Sequence, residues 1–164
     1  YELILALLVI SFIRTLVGVG IAALLAIPLF GFSIFSLGVP LLAFFFNLLV
    51  MGWAIGLMVS ALVLRYGLGA ESLAWVAIFA LAPVSGIYYP ISVLPGWLQP
   101  VAWALPSSHV FEGMRAVMIE QHFSAGHLWA AMGLNIGYLA VGTGLFLYAF
   151  KVARRLGTLL HSGE

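Results

Sequence analysis

The chain consists of long apolar segments separated by short polar ones. Segments without a charged side chain cover residues 15–35, 38–64, 72–90 and 128–150. A helix needs about 20 apolar residues to cross a hydrocarbon core about 30 Å thick. Backbone groups inside lipid must form their hydrogen bonds within the segment, so each segment is predicted to be helical. The pattern predicts four transmembrane helices, at about residues 5–31, 39–64, 72–89 and 128–150.

The composition supports this interpretation. Hydrophobic residues make up 65% of the 164 residues and charged residues only 7%, whereas an average soluble domain is about 25% charged. The predicted fold class is therefore all-α, a polytopic membrane helix bundle that forms one transmembrane domain over residues 1–164. Because the chain begins inside an apolar run without Met, we expect it to be a fragment of a longer protein.

Charge and residue usage exclude several other classes of function. A net charge of +1 provides no basic field for nucleic acid, so none is expected as a partner. The chain has no Cys, which excludes disulfides and thiolate metal sites. It has no Gly-x-x-x-x-Gly-Lys-Ser/Thr loop, so it is not predicted to bind ATP by that device. No cofactor is expected.

The basic residues predict the orientation. Arg65 lies between predicted spans two and three, and Lys151, Arg154 and Arg155 lie in the C-terminal tail, whereas Arg115 is alone on the opposite side. Cytoplasmic loops carry an excess of Lys and Arg. We therefore predict a multi-pass protein of the cell membrane with both ends in the cytoplasm and residues 90–126 on the outer face.

Polar residues within the predicted spans are candidates for a transport pathway or for packing. Arg14 interrupts the first span, where it can snorkel to the interface or lie on a pathway between subunits. Asn47 in span two and Asn135 in span four are expected to form interhelical hydrogen bonds or to line a substrate route.

Two glycine pairs are further candidates for close helix packing. Gly52 and Gly56 lie in span two, and Gly133 and Gly137 in span four. A four-residue spacing places both members of a pair on one helix face, where another backbone can approach closely. The pairs predict packing within the subunit, with a dimer interface as the alternative.

The segment between spans three and four is punctuated by Pro90, Pro95, Pro100 and Pro106. It predicts two short helices over about residues 94–121, which form a re-entrant or interfacial hairpin on the outer face. The first helix is predicted to place these residues on one face: Trp97, Leu98, Val101, Ala102 and Leu105. The second helix, after Pro106, is predicted to place these on one side: Val110, Phe111, Met114, Val117 and Met118.

Polar residues of the second predicted helix have two expected roles. Ser107 or Ser108 is expected to cap its N-terminus. Glu112 and Arg115, three residues apart, are expected to form an ion pair on the face opposite the apolar side chains.

Several motifs in this part of the chain resemble the C-terminal half of type 2 ABC exporter permeases. They are Ser85-Gly86, Tyr89-Pro90, Leu94-Pro95-x-Trp97-Leu98-Gln99, and Pro106 followed by His109, Glu112 and Arg115. The segment from Tyr1-Glu2 to Arg14 is similar to the stretch after that family's cytoplasmic coupling helix. The resemblance covers the third to sixth spans of a six-span permease.

The resemblance implies a transport subunit rather than an enzyme. Its partners would be a second permease subunit, cytoplasmic ATP-binding subunits and membrane lipid, and its substrate an amphipathic, lipid-linked or drug-like molecule that is exported. The outer hairpin would be a lid formed by Pro90, Leu94, Pro95, Trp97, Leu98, Pro106, Phe111, Glu112 and Arg115. Without the first two spans and the coupling helix, the fragment alone is not expected to couple to an ATPase.

Two other classes of function are open alternatives. The first is half of a secondary transporter, which would need a repeat partner and ion-binding residues within its spans. The second is an intramembrane hydrolase that uses Ser85 with His109 or His127. A metal site is a further alternative, because the outer segment contains His109, Glu112, Glu120, His122 and His127. Their spacing matches no metal-binding motif, so no metal and no catalytic residue is predicted.

Overall fold

The computed structural model describes residues 9–10, 12–21, 24–25, 38–67, 69–119 and 122–156. The chain divides into two compact units, Tyr1–Leu41 and Leu42–Glu164. All regular elements of the described residues are helical, in agreement with the predicted all-α class. In chain order they are α1 (Phe12–Ile21), α2 (Gly38–Tyr66), α3 (Ala70–Leu81), α4 (Gln99–Trp103), α5 (Pro106–Ile119) and α6 (Ala125–Leu156). Single 3-10 turns occur at Ala82–Val84 and Ile91–Val93.

Among the described residues, two helices are long and apolar enough to cross a membrane. They are α2, with a mean hydropathy of 2.1, and Ala125–Arg155 of α6, with 1.5. Only 22% and 17% of their most apolar windows are buried inside the protein. A core helix of a soluble protein would be mostly buried, so these outward apolar faces suit lipid. Both helices coincide with predicted spans two and four and extend a few residues beyond them.

The prediction for span three is wrong as a continuous helix to Tyr89. Helix α3 ends at Leu81 and is followed by a 3-10 turn at Ala82–Val84. Its 12 residues rise about 18 Å, which is less than a hydrocarbon core. The helix ends because Pro83 cannot donate a backbone hydrogen bond and Gly86 adopts a positive φ of 77°.

The first predicted span is described only in part. Helix α1 is a short apolar helix in which Arg14 is exposed. The remaining residues of the predicted 5–31 span lie largely outside the described part of the chain.

Helices α2 and α6 run in the same direction along each other. Asn135 contacts Asn47 near the beginning of the shared stretch. Further along both helices, Gly142 lies against Ala54, so that a Cβ atom on Gly142 would lie 2.8 Å from the Ala54 carbonyl oxygen. Because both residue numbers increase together, the chain must travel back between the end of α2 and the start of α6. Helix α3 and the turn after it form part of this return.

Helix α5 packs against α6 and α2 through a small apolar cluster. Phe44, Val110 and Ala131 are its buried members, and Met114 and Val117 pack against them. These positions agree with the predicted apolar side of α5, although Met118 is 49% exposed.

Gly113 makes the close approach of these helices possible. A Cβ atom there would overlap Phe44 Cζ and would lie 2.7 Å from Phe44 Cε1 and 3.2 Å from His127 Cβ. The absence of a side chain at Gly113 is what lets the Phe44 ring lie between α5 and α6.

The predicted glycine pairs do not mediate packing among the described residues. A Cβ atom at Gly52, Gly56, Gly133 or Gly137 would meet nothing within 4 Å. Packing on these glycines, within the subunit or at a dimer interface, therefore stays a prediction that would involve groups other than the described residues. The close contact between α2 and α6 is made at Gly142 instead, because that position faces the Ala54 backbone.

Candidate functional site

The proline-rich segment between α3 and α6 folds around its own apolar cluster. Ile91, Leu94 and Ala102 are buried at its centre. The partly buried residues packed against them are Val84, Tyr89, Leu98 and Trp103. This segment, residues 82–119, is called the hairpin below; it begins earlier than the predicted 94–121 because the turn after α3 belongs to it.

Prolines shape the backbone of the hairpin. Pro90 has an extended conformation, with φ −60° and ψ 146°, and is followed by the Ile91–Val93 turn. Leu94 is also extended, with ψ 148°, as expected of a residue that precedes a proline. The Leu98 N–H donates to the Pro95 carbonyl oxygen over 2.8 Å, and this turn leads into α4. The prolines thus divide the segment into short pieces, as predicted.

Glu112 and Arg115 connect α5 to the two turns before α4. Glu112 Oε1 accepts a hydrogen bond of 2.7 Å from the Ile91 N–H. The same oxygen lies 2.8 Å from Arg115 Nη1 in an ion pair, so the pairing predicted from their spacing is present. Arg115 Nη2 donates to the Gly86 carbonyl oxygen over 3.0 Å. One carboxylate and one guanidinium therefore hold backbone groups on both sides of residues 87–90.

Gly86 is the point at which the turn after α3 meets α5. Its φ of 77° lies in the region that favours glycine. A Cβ atom there would lie 3.1 Å from Ile91 Cδ1 and 3.7 Å from Ser108 Cα. The residue is buried, and Arg115 binds its carbonyl oxygen. The conformation at this position favours glycine, and a Cβ atom would also crowd the Ile91 side chain.

The predicted apolar face of the first short helix is only partly correct. Helix α4 begins at Gln99, after the turn at Pro95, and this start sets which side chains face inward. Ala102 and Leu105 are buried and Leu98 is half-buried, but Trp97 is 76% exposed and Val101 49% exposed. Trp97 therefore projects away from the hairpin core instead of packing with Leu98.

The predicted serine cap of the second helix is wrong. Helix α5 starts at Pro106, so both serines lie inside its first turn. Ser108 Oγ donates to the Val84 carbonyl oxygen over 3.4 Å, and Ser107 Oγ is buried without a hydrogen-bond partner among the described residues. Proline suits a first helical position because it needs no backbone N–H there. Phe111, also expected on the apolar side, is half-buried.

Three rings meet where α5 begins to contact α6. His109 Nδ1 lies 3.3 Å from His127 Nδ1, and His109 Nε2 lies 3.0 Å from the Trp103 carbonyl oxygen. The Trp103 ring stacks on His127 with an interplanar angle of 13° and centroids 5.7 Å apart. Burial lowers the pKa of His109 below its usual 6.5; the hydrogen bond to Trp103 opposes this shift, and the neighbouring His127 adds to it.

These contacts bear on the hydrolase and metal alternatives. Ser85 Oγ donates to the Ala82 carbonyl oxygen over 2.7 Å, whereas His109 and His127 contact each other. The serine and the histidines thus have partners other than one another. Among the described residues, which do not include Glu120, no three His, Cys, Asp or Glu side chains lie close enough to hold a metal ion.

A buried amide pair links α2 and α6. Asn135 Nδ2 donates to the Asn47 carbonyl oxygen over 2.9 Å and to Asn47 Oδ1 over 3.0 Å. Asn47 Nδ2 in turn donates to the Ala43 carbonyl oxygen over 3.0 Å. Asn135 is 2% exposed and Asn47 5% exposed. The interhelical hydrogen bond predicted for these asparagines is present, and it joins the two to each other.

The Gly52 and Gly56 face of α2 borders an open groove. The groove has a volume of about 550 Å³ and a mostly apolar lining, and it lies between α2 and α3. Its polar lining residues are Ser60 and Glu71, and Trp75 contributes a large apolar surface. The groove leaves this glycine face accessible to a molecule from outside the described residues.

Sequence reasoning did not single out Gly113 or Gly142, which hold the closest helix contacts. Gly113 lies on the inner side of a short amphipathic helix that otherwise carries bulky apolar residues. This pattern could have indicated a close helix contact at Gly113. No local signal distinguishes Gly142 from Gly133 or Gly137, because all three lie in the same apolar helix.

Comparison with known families identifies the class of protein that this helical arrangement represents. The family model of the ABC-2 type transporter matches residues 1–119, which is more than half of the 164-residue chain. The chain belongs to the ABC-2 type transporter family. Members of this family are the membrane permease components of ABC transporters and work with an ATP-binding subunit. No curated protein and no solved structure matches the chain.

Proposed function

We propose that this chain is part of the permease subunit of an ATP-driven exporter in the cell membrane. In this proposal, ATP hydrolysis on cytoplasmic ATP-binding subunits drives an amphipathic, lipid-linked or drug-like molecule outward. A second permease subunit faces this one, and the substrate route lies between them. The observation that carries the proposal is the hairpin, whose polar network and exposed Trp97 suit a structured lid at one membrane surface.

The directions of the helices support four membrane passes. Since α2 and α6 run in parallel and both are long enough to span, the chain must cross back once between them. In this topology α3 and the turn after it make the return crossing, and α1 belongs to the first pass. The hairpin then lies at the membrane surface where α6 begins.

The basic residues support the placement of the hairpin on the outer side. Arg65 ends α2, and its guanidinium carbon lies 5.9 Å from the centre of the Tyr148 ring in the last part of α6. Arg154 and Arg155 follow in the last turn of α6. Under the positive-inside rule this end faces the cytoplasm, and the hairpin at the other end faces outward.

The composition of the spanning helices supports an amphipathic substrate. The described part of α2 has no charged residue before Arg65, and the described part of α6 has no Asp, Glu, Lys or Arg before Lys151, with the ionisable His127 only at its first turn. Small ions and charged solutes usually require ionisable groups within the spans. An apolar groove beside Gly52 and Gly56 instead offers a surface for an acyl chain, for lipid or for the second permease subunit. Arg14, exposed on α1, is a candidate for contact with that subunit or with headgroups.

The lid role of the ion pair is tested by a double-mutant cycle. Arg115→Ala, Glu112→Ala and the double change are introduced into the complete transporter, reconstituted with its ATP-binding subunit in proteoliposomes. We expect each single change to slow ATP-dependent export of a fluorescent phospholipid. The double change should slow it by less than the sum of the two single effects, because each single change already removes the ion pair. Arg154→Ala, an exposed arginine at the opposite end of α6, is the matched control.

Two results would contradict the proposal at different levels. Additive effects of the two hairpin changes would show that the pair does not act as a unit, which would remove the lid role but leave the exporter. Absence of ATP-dependent movement for phospholipid, lipid-linked saccharide and cationic amphiphile alike, in the unaltered assembly, would sink the exporter itself.

A further inference from the structure

Two histidines meet at the contact between the hairpin and the first turn of α6. His109 is the fourth residue of α5, and His127 is the third residue of α6. Their Nδ1 atoms lie 3.3 Å apart, and the Trp103 ring stacks on His127. Gly113 allows α5 to approach the Cβ atom of His127 closely. The pair therefore lies inside the α5–α6 contact and not on an open surface.

Hydrogen-bond roles assign the protons of the neutral pair. A carbonyl oxygen only accepts, so His109 Nε2, 3.0 Å from the Trp103 oxygen, must carry a hydrogen. A neutral imidazole has one N–H, and His109 Nδ1 is therefore an acceptor. His127 Nδ1 must then be the donor across the 3.3 Å contact. This arrangement leaves His127 Nε2 as the nitrogen that takes up a first proton.

The two protonation steps have different consequences. A proton on His127 Nε2 keeps the Nδ1–H donor in place, so the contact survives and becomes charge-assisted. A second proton can bind only to His109 Nδ1. That step places two N–H groups and two positive charges against each other across 3.3 Å and removes the hydrogen bond.

The start of α5 opposes protonation of His109. This histidine lies close to the N-terminus of its helix, where the positive end of the helix dipole disfavours a cation. His109 is in addition partly removed from water by the surrounding contacts, so its pKa is lowered. The contact is therefore intact at neutral pH and is lost only in acid.

The other titratable groups of the packed elements do not supply a compensating negative charge. On α5, Glu112 is already paired with Arg115. On α6, the Tyr138 hydroxyl donates to a backbone oxygen of the α4–α5 turn. Helix α4 has no titratable residue, and those of α2 lie at its far end. His122 is exposed in the connection before α6, and Glu120 lies outside the described residues.

We propose that the His109–His127 pair is a pH-sensitive contact that holds the hairpin on the first turn of α6 and releases it when both histidines are protonated. This device goes beyond the transport role, because it sets the acidity at which the hairpin separates from α6. It requires no change in the Glu112–Arg115 ion pair, which involves other residues of the hairpin.

The experiment is a titration of the imidazole nitrogens by NMR. The complete permease is labelled with ¹⁵N-histidine, placed in lipid nanodiscs with a chelator, and titrated from about pH 8 to about pH 4.5, a range that brackets the usual histidine pKa. His109→Gln and His127→Gln assign the signals, and His122→Gln is the matched control. At neutral pH we expect an Nε2–H tautomer for His109 and an Nδ1–H tautomer for His127.

The same titration tests the coupling. In the unaltered protein His109 should take up its proton after His127, and hydrogen exchange at the start of α5 should accelerate in that step. His127→Gln should raise the midpoint of His109 by about one pH unit, as removal of an adjacent positive charge does, and His122→Gln should leave it unchanged. Independent titration of the two rings in the unaltered protein would overturn the proposal, and so would an unchanged His109 midpoint in His127→Gln. The first of these readouts does not depend on the folding of any variant.

Discussion

Replacement of Gly142 by alanine should destabilise the protein, whereas the same change at Gly137 should not. Both positions lie in α6, five residues apart, and both gain about 0.5–1 kcal/mol from the better helix propensity of alanine. A Cβ atom at Gly142 would lie 2.8 Å from the Ala54 carbonyl oxygen and 3.4 Å from Leu57 Cβ. A Cβ atom at Gly137 would meet nothing within 4 Å.

The clash at Gly142 cannot be relieved by a side-chain rotation, since the obstacle is the backbone of α2. The two helices must separate locally, and overpacking of this kind costs about 1–3 kcal/mol. Because the propensity gain is common to both variants, the difference between Gly142→Ala and Gly137→Ala isolates this packing cost. For a chain of this size each kcal/mol shifts Tm by about 2–4 °C.

Thermal unfolding in nanodiscs, followed by intrinsic tryptophan fluorescence, measures the difference. We expect the Tm of Gly142→Ala to fall several degrees below that of Gly137→Ala, and valine at each position to widen the gap. Equal Tm values for the two alanine variants would refute the close parallel packing of α2 and α6. A lower value for Gly137→Ala would show that another helix packs on that face in the assembled protein.

Three further predictions concern other contacts of the described residues. Asn135→Ala should lower the free energy of unfolding by about 1 kcal/mol, because interhelical hydrogen bonds in membranes contribute about that much and Asn47 loses its donor. An unchanged free energy of unfolding in a denaturant titration would contradict this prediction. Gly86→Ala should cost about 1–2 kcal/mol from its positive φ alone, measured against Gly96→Ala, which meets open space. The folded-state pKa of His109 is lowered, so the contribution of His109 to stability is complete above pH 6.5 and is lost as the pH falls through the folded pKa. The measurement is Tm as a function of pH in the unaltered protein and in His109→Gln. Identical profiles below pH 6.5 would argue against this prediction.

Composition and periodicity were sufficient to predict several properties of this protein. Long uncharged segments predicted α2 and α6, because charged side chains are favourable in water and unfavourable in lipid. This preference does not depend on where the segments pack in the fold. Spacing predicted the Glu112–Arg115 ion pair, since residues three apart on a helix are neighbours. The motifs around Pro95 and Pro106 pointed to the family that the comparison then identified.

Which of several equivalent residues make contact depends on how the helices pack. Gly133, Gly137 and Gly142 are alike in sequence, yet among the described residues only Gly142 faces another backbone, because the relative rotation of two helices is set by all their contacts together. The partner of Asn135 and the meeting of His109 with His127 depend on the same long-range arrangement. The local sequence pattern predicts whether a segment is helical and whether it suits lipid. Which side chains contact each other across the fold depends instead on packing between segments that are distant in sequence.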